Sequence, residues 1–251
     1  MVKGLDPLWL VLAGLGGGLS GSIAGLASLV SYPALLAVGL PPIAANVTNT
    51  VSLVFSSVGS VSGSRLELSG QREQARHLAG FALGGGICGG LLLLATPSEQ
   101  FALIVPWLIG LASLAIVIRP DPERIPPPTG RRPTRALTVG VFLVGVYGGY
   151  FGAGAGVILL ALLLISSAEP LARSNALKNL LLGLANGVAA LAFVFFGPVQ
   201  WSAVLPLAVG FLIGGRLGPL VVRRAPSGPL RLLIACAGIG LAVHLGIDAY
   251  R

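Results

Sequence analysis

Charge is what this chain has least of. Of 251 residues, only 10% are Asp, Glu, Lys or Arg, against about 25% in a soluble domain. The eight acidic residues, Asp6, Glu67, Glu73, Glu99, Asp121, Glu123, Glu169 and Asp248, all fall in loops or at the ends of apolar runs. With no carboxylate inside a run, a carboxylate proton relay or cation pathway is hard to build. The two histidines, His77 and His244, also sit near run ends. Cys88 and Cys236 lie inside apolar runs, far apart and without metal-ligand spacing, and read as buried thiols. No Ser-His-Asp set, carboxylate pair or metal cluster is present, so neither catalysis nor a cofactor is implied.

What the chain has in abundance is apolar surface and glycine. Hydrophobic residues make up 55%, glycines number 37 and the mean hydropathy is +0.91. These values describe a polytopic membrane protein whose partner is the lipid bilayer, with no room for a soluble domain. A net charge of +8 has the sign that nucleic acid attracts. The basic residues, however, lie between apolar runs and form no aromatic-interleaved patch, so no nucleic-acid partner is expected. The run after Lys3 continues past signal-peptide length and reads as a retained first span.

Apolar runs cover roughly 8–39, 43–64, 77–95, 100–118, 136–168, 174–196, 201–222 and 229–248. A Pro- and Arg-rich stretch, RPDPERIPPPTGRRPTR, separates the fourth from the fifth. This gives a first repeat at 1–118, a cytoplasmic connector at 119–135 and a second repeat at 136–251. The halves match in sequence. GLGGGLSGSIAG from Gly14 aligns with GVYGGYFGAGAG from Gly145 at an offset of 131. After a two-residue slip, an offset of 129 pairs Asn46 with Asn175, Gly85-Gly86 with Gly214-Gly215, and Pro97 with Pro226.

The first run of each half is too long for one straight span, since about 32 residues reach roughly 48 Å across a core near 30 Å. Each is expected to break into a glycine-rich hairpin, with Gly17, Gly18 and Gly21 in one half and Gly148, Gly149 and Gly152 in the other as the breaking residues. Those hairpins put the loops 65–76, 119–135, 169–173 and 223–231 on one side. These loops hold twelve of the sixteen basic residues and leave Lys3 and Arg251 opposite. The positive-inside rule then makes that side cytoplasmic, with both termini outside and the halves inverted. The expected fold is an all-α integral membrane protein of two inverted repeats. Each has about five helical segments, with eight to ten membrane helices in all.

Within this frame, SNALKNLLLGLANG at Ser174–Gly187 carries a polar stripe of Asn175, Lys178, Asn179 and Asn186. A stripe of this kind cannot face lipid. Its first-half counterpart, NVTNTVSLVFSSVGS, sets Asn46, Asn49, Thr50, Ser57 and Ser60 on the matching face. Two readings of Lys178 stand at this stage. It either snorkels to the interface or binds an anion with the asparagine amides beside it. Arg216, two turns from a basic helix end, reads as snorkelling. The glycines either permit close helix packing or expose helix N-termini that attract anions.

The repeated GxxGGxxG, the Asn/Thr/Ser-rich second segment, the NALKNLLLGLANG run, the FGPVQW turn and the GGRLGPLVVRRAP segment resemble the TauE/SafE (TSUP) family of sulfite exporters. The resemblance implies transport of a small sulfur-containing anion, such as sulfite, an organosulfonate or sulfoacetate, across the inner membrane. By motif position it implies a substrate site of Asn175, Lys178 and Asn179, with Asn46, Asn49 and Thr50 from the first half. Position 49 is Asn where the second half has Lys178, so a single cation faces the site. The expectation is a secondary transporter that exports the anion. Efflux is favoured by about 2.3 kcal/mol per charge at 100 mV and needs no coupling ion. The alternatives are an integral-membrane enzyme on a lipid-linked phosphate and a non-transporting membrane scaffold. Oligomeric state is not readable from the sequence.

Overall fold

The computed structural model describes residues 7–118, 135–167 and 169–222, with ten further residues between 236 and 249. The connector and most of the last apolar run lie outside these. Among the described residues the regular structure is all helix, with no strand. The elements are α1 (Pro7–Ala24), α2 (Ala27–Ala37), α3 (Pro42–Gly63), α4 (Arg65–Leu68), α5 (Arg72–Ala95), α6 (Ser98–Ile118), α7 (Arg135–Tyr150), α8 (Ala155–Ser166), α9 (Leu171–Phe196) and α10 (Trp201–Val222). Four of them, α1, α5, α9 and α10, are long and apolar enough to cross a membrane. The chain is an all-α membrane protein.

Both long runs break in two, and of the expected glycines only Gly152 lies at a break. Gly17, Gly18 and Gly21 lie inside α1, and Gly148 and Gly149 inside α7. The first reversal falls at Gly25, whose φ of +79° an L side chain rarely adopts. The second falls between α7 and α8, where Gly152 and Gly154 have φ of +75° and +72°. α2 then folds back along α1, with Ala27 against Gly21 and Val30 against Gly16. α8 folds back along α7 in the same way, with Ala155 near Gly148 and Leu162 against Gly140. The glycines inside the helices are packing surfaces. Gly18 meets the backbone of Gly214 and Gly215 on α10, and Gly149 meets Gly86 and Gly90 on α5.

α3 and α9 run antiparallel through the centre. Gln71, after the short α4 that follows α3, donates from Nε2 to the Arg173 carbonyl near the start of α9 at 3.0 Å. At the other end, the backbone N–H of Gln200, after α9, donates to Thr48 Oγ1 near the start of α3 at 3.0 Å. Every residue from Ala45 to Leu53 is buried, as is every residue from Ser174 to Asn179. These stretches have no lipid face, and for that reason they can carry polar side chains without facing hydrocarbon.

Around this pair the lipid-facing surface is apolar, with Trp107, Phe195, Phe196 and Leu205 well exposed. Cys88 and Cys236 are also exposed, contrary to the expectation of buried thiols. α5 turns its glycines Gly85, Gly86, Gly89 and Gly90 inward, which leaves Cys88 on the outer side beside the exposed Ile87. Arg216 lies on the exposed side of α10, as expected of a snorkelling side chain.

Candidate functional site

Two helix ends lie inside this protein, and each presents carbonyls that no intrahelical N–H can reach. α1 ends at Ala24, deep among its neighbours, where the Gly25 N–H reaches the Gly21 carbonyl at 2.8 Å and α9 supplies further donors. Lys178 Nζ donates to the Gly21 carbonyl at 3.0 Å and to Asn175 Oδ1 at 2.8 Å, and reaches Ser22 O at 3.5 Å. Asn175 Nδ2 donates to Ser22 O at 2.8 Å, and Asn179 Nδ2 donates to the same oxygen at 3.3 Å. Lys178 is fully buried. α7 ends at Tyr150, and there Asn46 Nδ2 donates to the Tyr150 carbonyl at 2.8 Å. Tyr147 OH donates to the Ala153 carbonyl in the following turn at 2.6 Å. Each core helix thus caps the hairpin of the other half.

Asn49 and Thr50 are spent elsewhere. Asn49 donates to Ser28 Oγ at 3.1 Å and accepts from Ser31 Oγ at 2.6 Å, joining α3 to α2. Thr50 Oγ1 bonds back to the Asn46 carbonyl on its own helix at 3.0 Å.

Beside the capped end of α1 is a cavity of about 50 Å³. On the same measure about 10–15 Å³ holds one water, so there is room for a few waters or one small oxyanion. Its floor is the two hairpin turns, where Gly25 meets Gly156 and a Cβ on either would overlap the other's backbone. The first residues of α2, Ala27 and Ser28, and of α8, Ala155 and Gly156, line it. The N–H groups of a helix's first turn have no partner within the helix, and that end carries about half a positive charge. α3 contributes Ser56, Ser57 and Ser60, and α9 contributes Asn179 and Asn186. Among the described residues, no charged side chain lines the cavity.

Of the residues expected from sequence, Asn179 and Asn186 therefore reach the cavity. Asn175 and Lys178 stand behind its wall, while Asn46, Asn49 and Thr50 lie in other contacts. Among the glycines, Gly21 and Gly152 line it. Sequence reasoning did not single out Ser22, Ser28 and Ser56. The signal for Ser56 was its place in a run with Ser57 and Ser60. Part of the polar lining is one-sided, since Ser56 and Ser60 correspond at offset 129 to Ala185 and Ala189, both buried.

This geometry, with a small donor-lined cavity between helix turns in an all-helical membrane protein, agrees with what the chain is similar to. The pattern that defines the sulfite exporter TauE/SafE family matches residues 10–245. The chain belongs to the sulfite exporter TauE/SafE family. A probable membrane transporter protein of a Sinorhizobium species is 26% identical over 241 residues, which cover 96% of this chain and 92% of the relative. Another, from Escherichia coli, is 25% identical over 233 residues, covering 91% and 85%. A third, from Haemophilus influenzae, is 25% identical over 239 residues, covering 90% and 89%. No solved structure matches the chain significantly. As a TauE/SafE member with relatives of this kind, the chain is a membrane transporter and not an enzyme.

Proposed function

We propose that this TauE/SafE protein exports a small sulfur-containing oxyanion, such as sulfite, an organosulfonate or sulfoacetate, and binds it in the cavity between the two hairpin turns. The observation that carries the reading is the lining itself. An oxyanion is acceptor-only and needs donors. The cavity offers the Ser56 hydroxyl of α3, the amides of Asn179 and Asn186 and the first turns of α2 and α8, while the Ser57 and Ser60 hydroxyls donate to the Leu53 and Ser57 carbonyls of their own helix. The Asn186 side chain has no hydrogen-bond partner within the protein among the described residues, so its amide is available.

The reading includes a topology in the inner membrane, with two inverted halves and both termini outside. Reciprocal packing supports it: Gly18 on Gly215 corresponds to Gly149 on Gly86, and Gly215 on Ser56 corresponds to Gly86 on Ala185. So do the two glutamines, Gln71 and Gln200, which are 129 apart and each hold the opposite central helix. The cavity lies along the C-terminal half of α3, on the side of the loop that holds Arg65, Arg72 and Arg76. An anion entering there starts from the cytoplasm and leaves down the membrane potential.

Purified protein in liposomes with a sulfite-sensitive dye inside tests this. Sulfite entry that saturates and depends on the protein is the expected result. Flux no greater than in empty liposomes, for sulfite and for each sulfonate tried, would sink the reading.

A further inference from the structure

The resting place of Lys178 raises a question about charge that the transport reading leaves open. Gly21 and Ser22 line the cavity, and their carbonyls belong to the last turn of α1. A helix C-terminus carries about half a negative charge. A negative end beside an anion site is repulsive, and in a water-poor interior the repulsion is larger than at a surface. The same two carbonyls are the ones that Lys178, Asn175 and Asn179 cover.

We infer that Lys178 is a positioning residue, an electrostatic cover over the C-terminal end of α1, and that it makes the cavity hospitable to an anion without touching it. The inference rests on the reading of the cavity as an anion site. Three features of the geometry carry it. The ammonium is held by Gly21 O and Asn175 Oδ1, at 3.0 and 2.8 Å, and Lys178 itself is not among the residues that line the cavity. Asn175 is oriented by the contact, accepting from Lys178 on one side of its amide and donating to Ser22 O on the other. The third is the contrast with the other half, where neutral groups suffice. The α7 end is covered by the Asn46 amide and the Tyr147 phenol. The cavity takes Gly152 from that turn, where the Gly152 carbonyl accepts from Ala155 N as Gly21 O accepts from Gly25 N, whereas Ser22 O is met by the side chains of α9. Only the α1 end brings carbonyls of a last helical turn into the lining, and it is the end that receives the lysine. This accounts for Lys178 facing Asn49 across the repeat: a charge is needed at one end and not at the other.

The role separates from that of a ligand by what happens to α1. A ligand lysine can be removed with α1 still capped, whereas removing a cover frees the end of the helix. The experiment uses the full chain with Cys88→Ser and Cys236→Ser, and a Ser22→Cys probe read by a small thiol reagent in liposomes. Sulfite flux is measured in parallel in the same chain without the probe. Lys178→Met is expected to raise the half-saturation for sulfite tenfold or more and to speed labelling at position 22 by a similar factor. Lys178→Gln, which keeps a donor without the charge, should raise the half-saturation while labelling stays slow, and it serves as the second variant if Lys178→Met does not fold. A rise in half-saturation with Lys178→Met and no change in labelling would make Lys178 a direct ligand and overturn the inference. Unchanged values of both would also overturn it, leaving no role for the charge. If the parent chain moves no anion at all, the transport reading fails. In that case faster labelling in Lys178→Met still reports the capping on its own.

Discussion

Gly25 and Gly156 touch backbone to backbone at the centre of the molecule. They are also partners in the sequence repeat, 131 residues apart. In the proposed inverted arrangement a residue that meets its own repeat mate lies close to the axis relating the two halves, and here the contact is the floor of the cavity. Neither position has space for a side chain.

Gly25→Ala should therefore be costly twice over. The left-handed backbone at φ +79° costs an alanine about 1–2 kcal/mol, and the methyl group overlaps Gly156 besides. A lowered thermal midpoint in detergent together with abolished flux is expected. Gly80, which has open space around its Cβ position, is the control, and Gly80→Ala should leave both unchanged. A Gly25→Ala protein with native stability and flux would remove the contact from the mechanism.

Asn186→Leu should act on binding. It removes an available amide from the cavity wall. One hydrogen bond to a charged group is worth about 1.5–3 kcal/mol, so the half-saturation for sulfite should rise roughly tenfold or more. Concentration dependence of flux in liposomes is the measurement, and an unmoved half-saturation would exclude Asn186 as a ligand.

Asn49→Leu should act on stability instead. Its amide is buried between Ser28 and Ser31, and leaving such partners unsatisfied costs about 1–3 kcal/mol. The expected outcome is a lower thermal midpoint with little change in half-saturation. The opposite pattern would return Asn49 to the substrate.

The topology is checked by single cysteines in a Cys-free background. Thr129→Cys and Ser227→Cys should react only with reagent on the cytoplasmic side, and Arg251→Cys only from outside. Reaction of the first and last from one side would rule out the inverted arrangement.

The sequence made the helical class, the two broken runs and the two polar stripes legible, because each follows from a count along the chain. The place of the first break did not follow, although Gly152 does lie at the second. Gly17, Gly18 and Gly21 look the same in sequence as Gly25. The first three are consumed by the approach of α2 and α10, and that approach is a tertiary fact. The stripes misled in a similar way. Periodicity gives the face a side chain occupies, and it puts Asn46 and Asn175 on inward faces correctly. It does not say that the inward face meets the bare end of another helix before it meets the cavity. Ser28 was missed for the complementary reason, since α2 is short and its first turn becomes part of the site only when α1 and α2 fold together.

The capping of α1 by Asn175 also governs how the protein can be made. Ser22 waits for a partner 153 residues further along the chain. At about 5–20 residues per second, that partner leaves the ribosome roughly 8–30 seconds later. Until then the newly inserted first hairpin holds open carbonyls in or beside the bilayer, where each costs several kcal/mol. The early half is thus an unfinished object during synthesis, dependent on the insertion machinery or on thinned lipid around it. Assembly is completed only when the second half arrives.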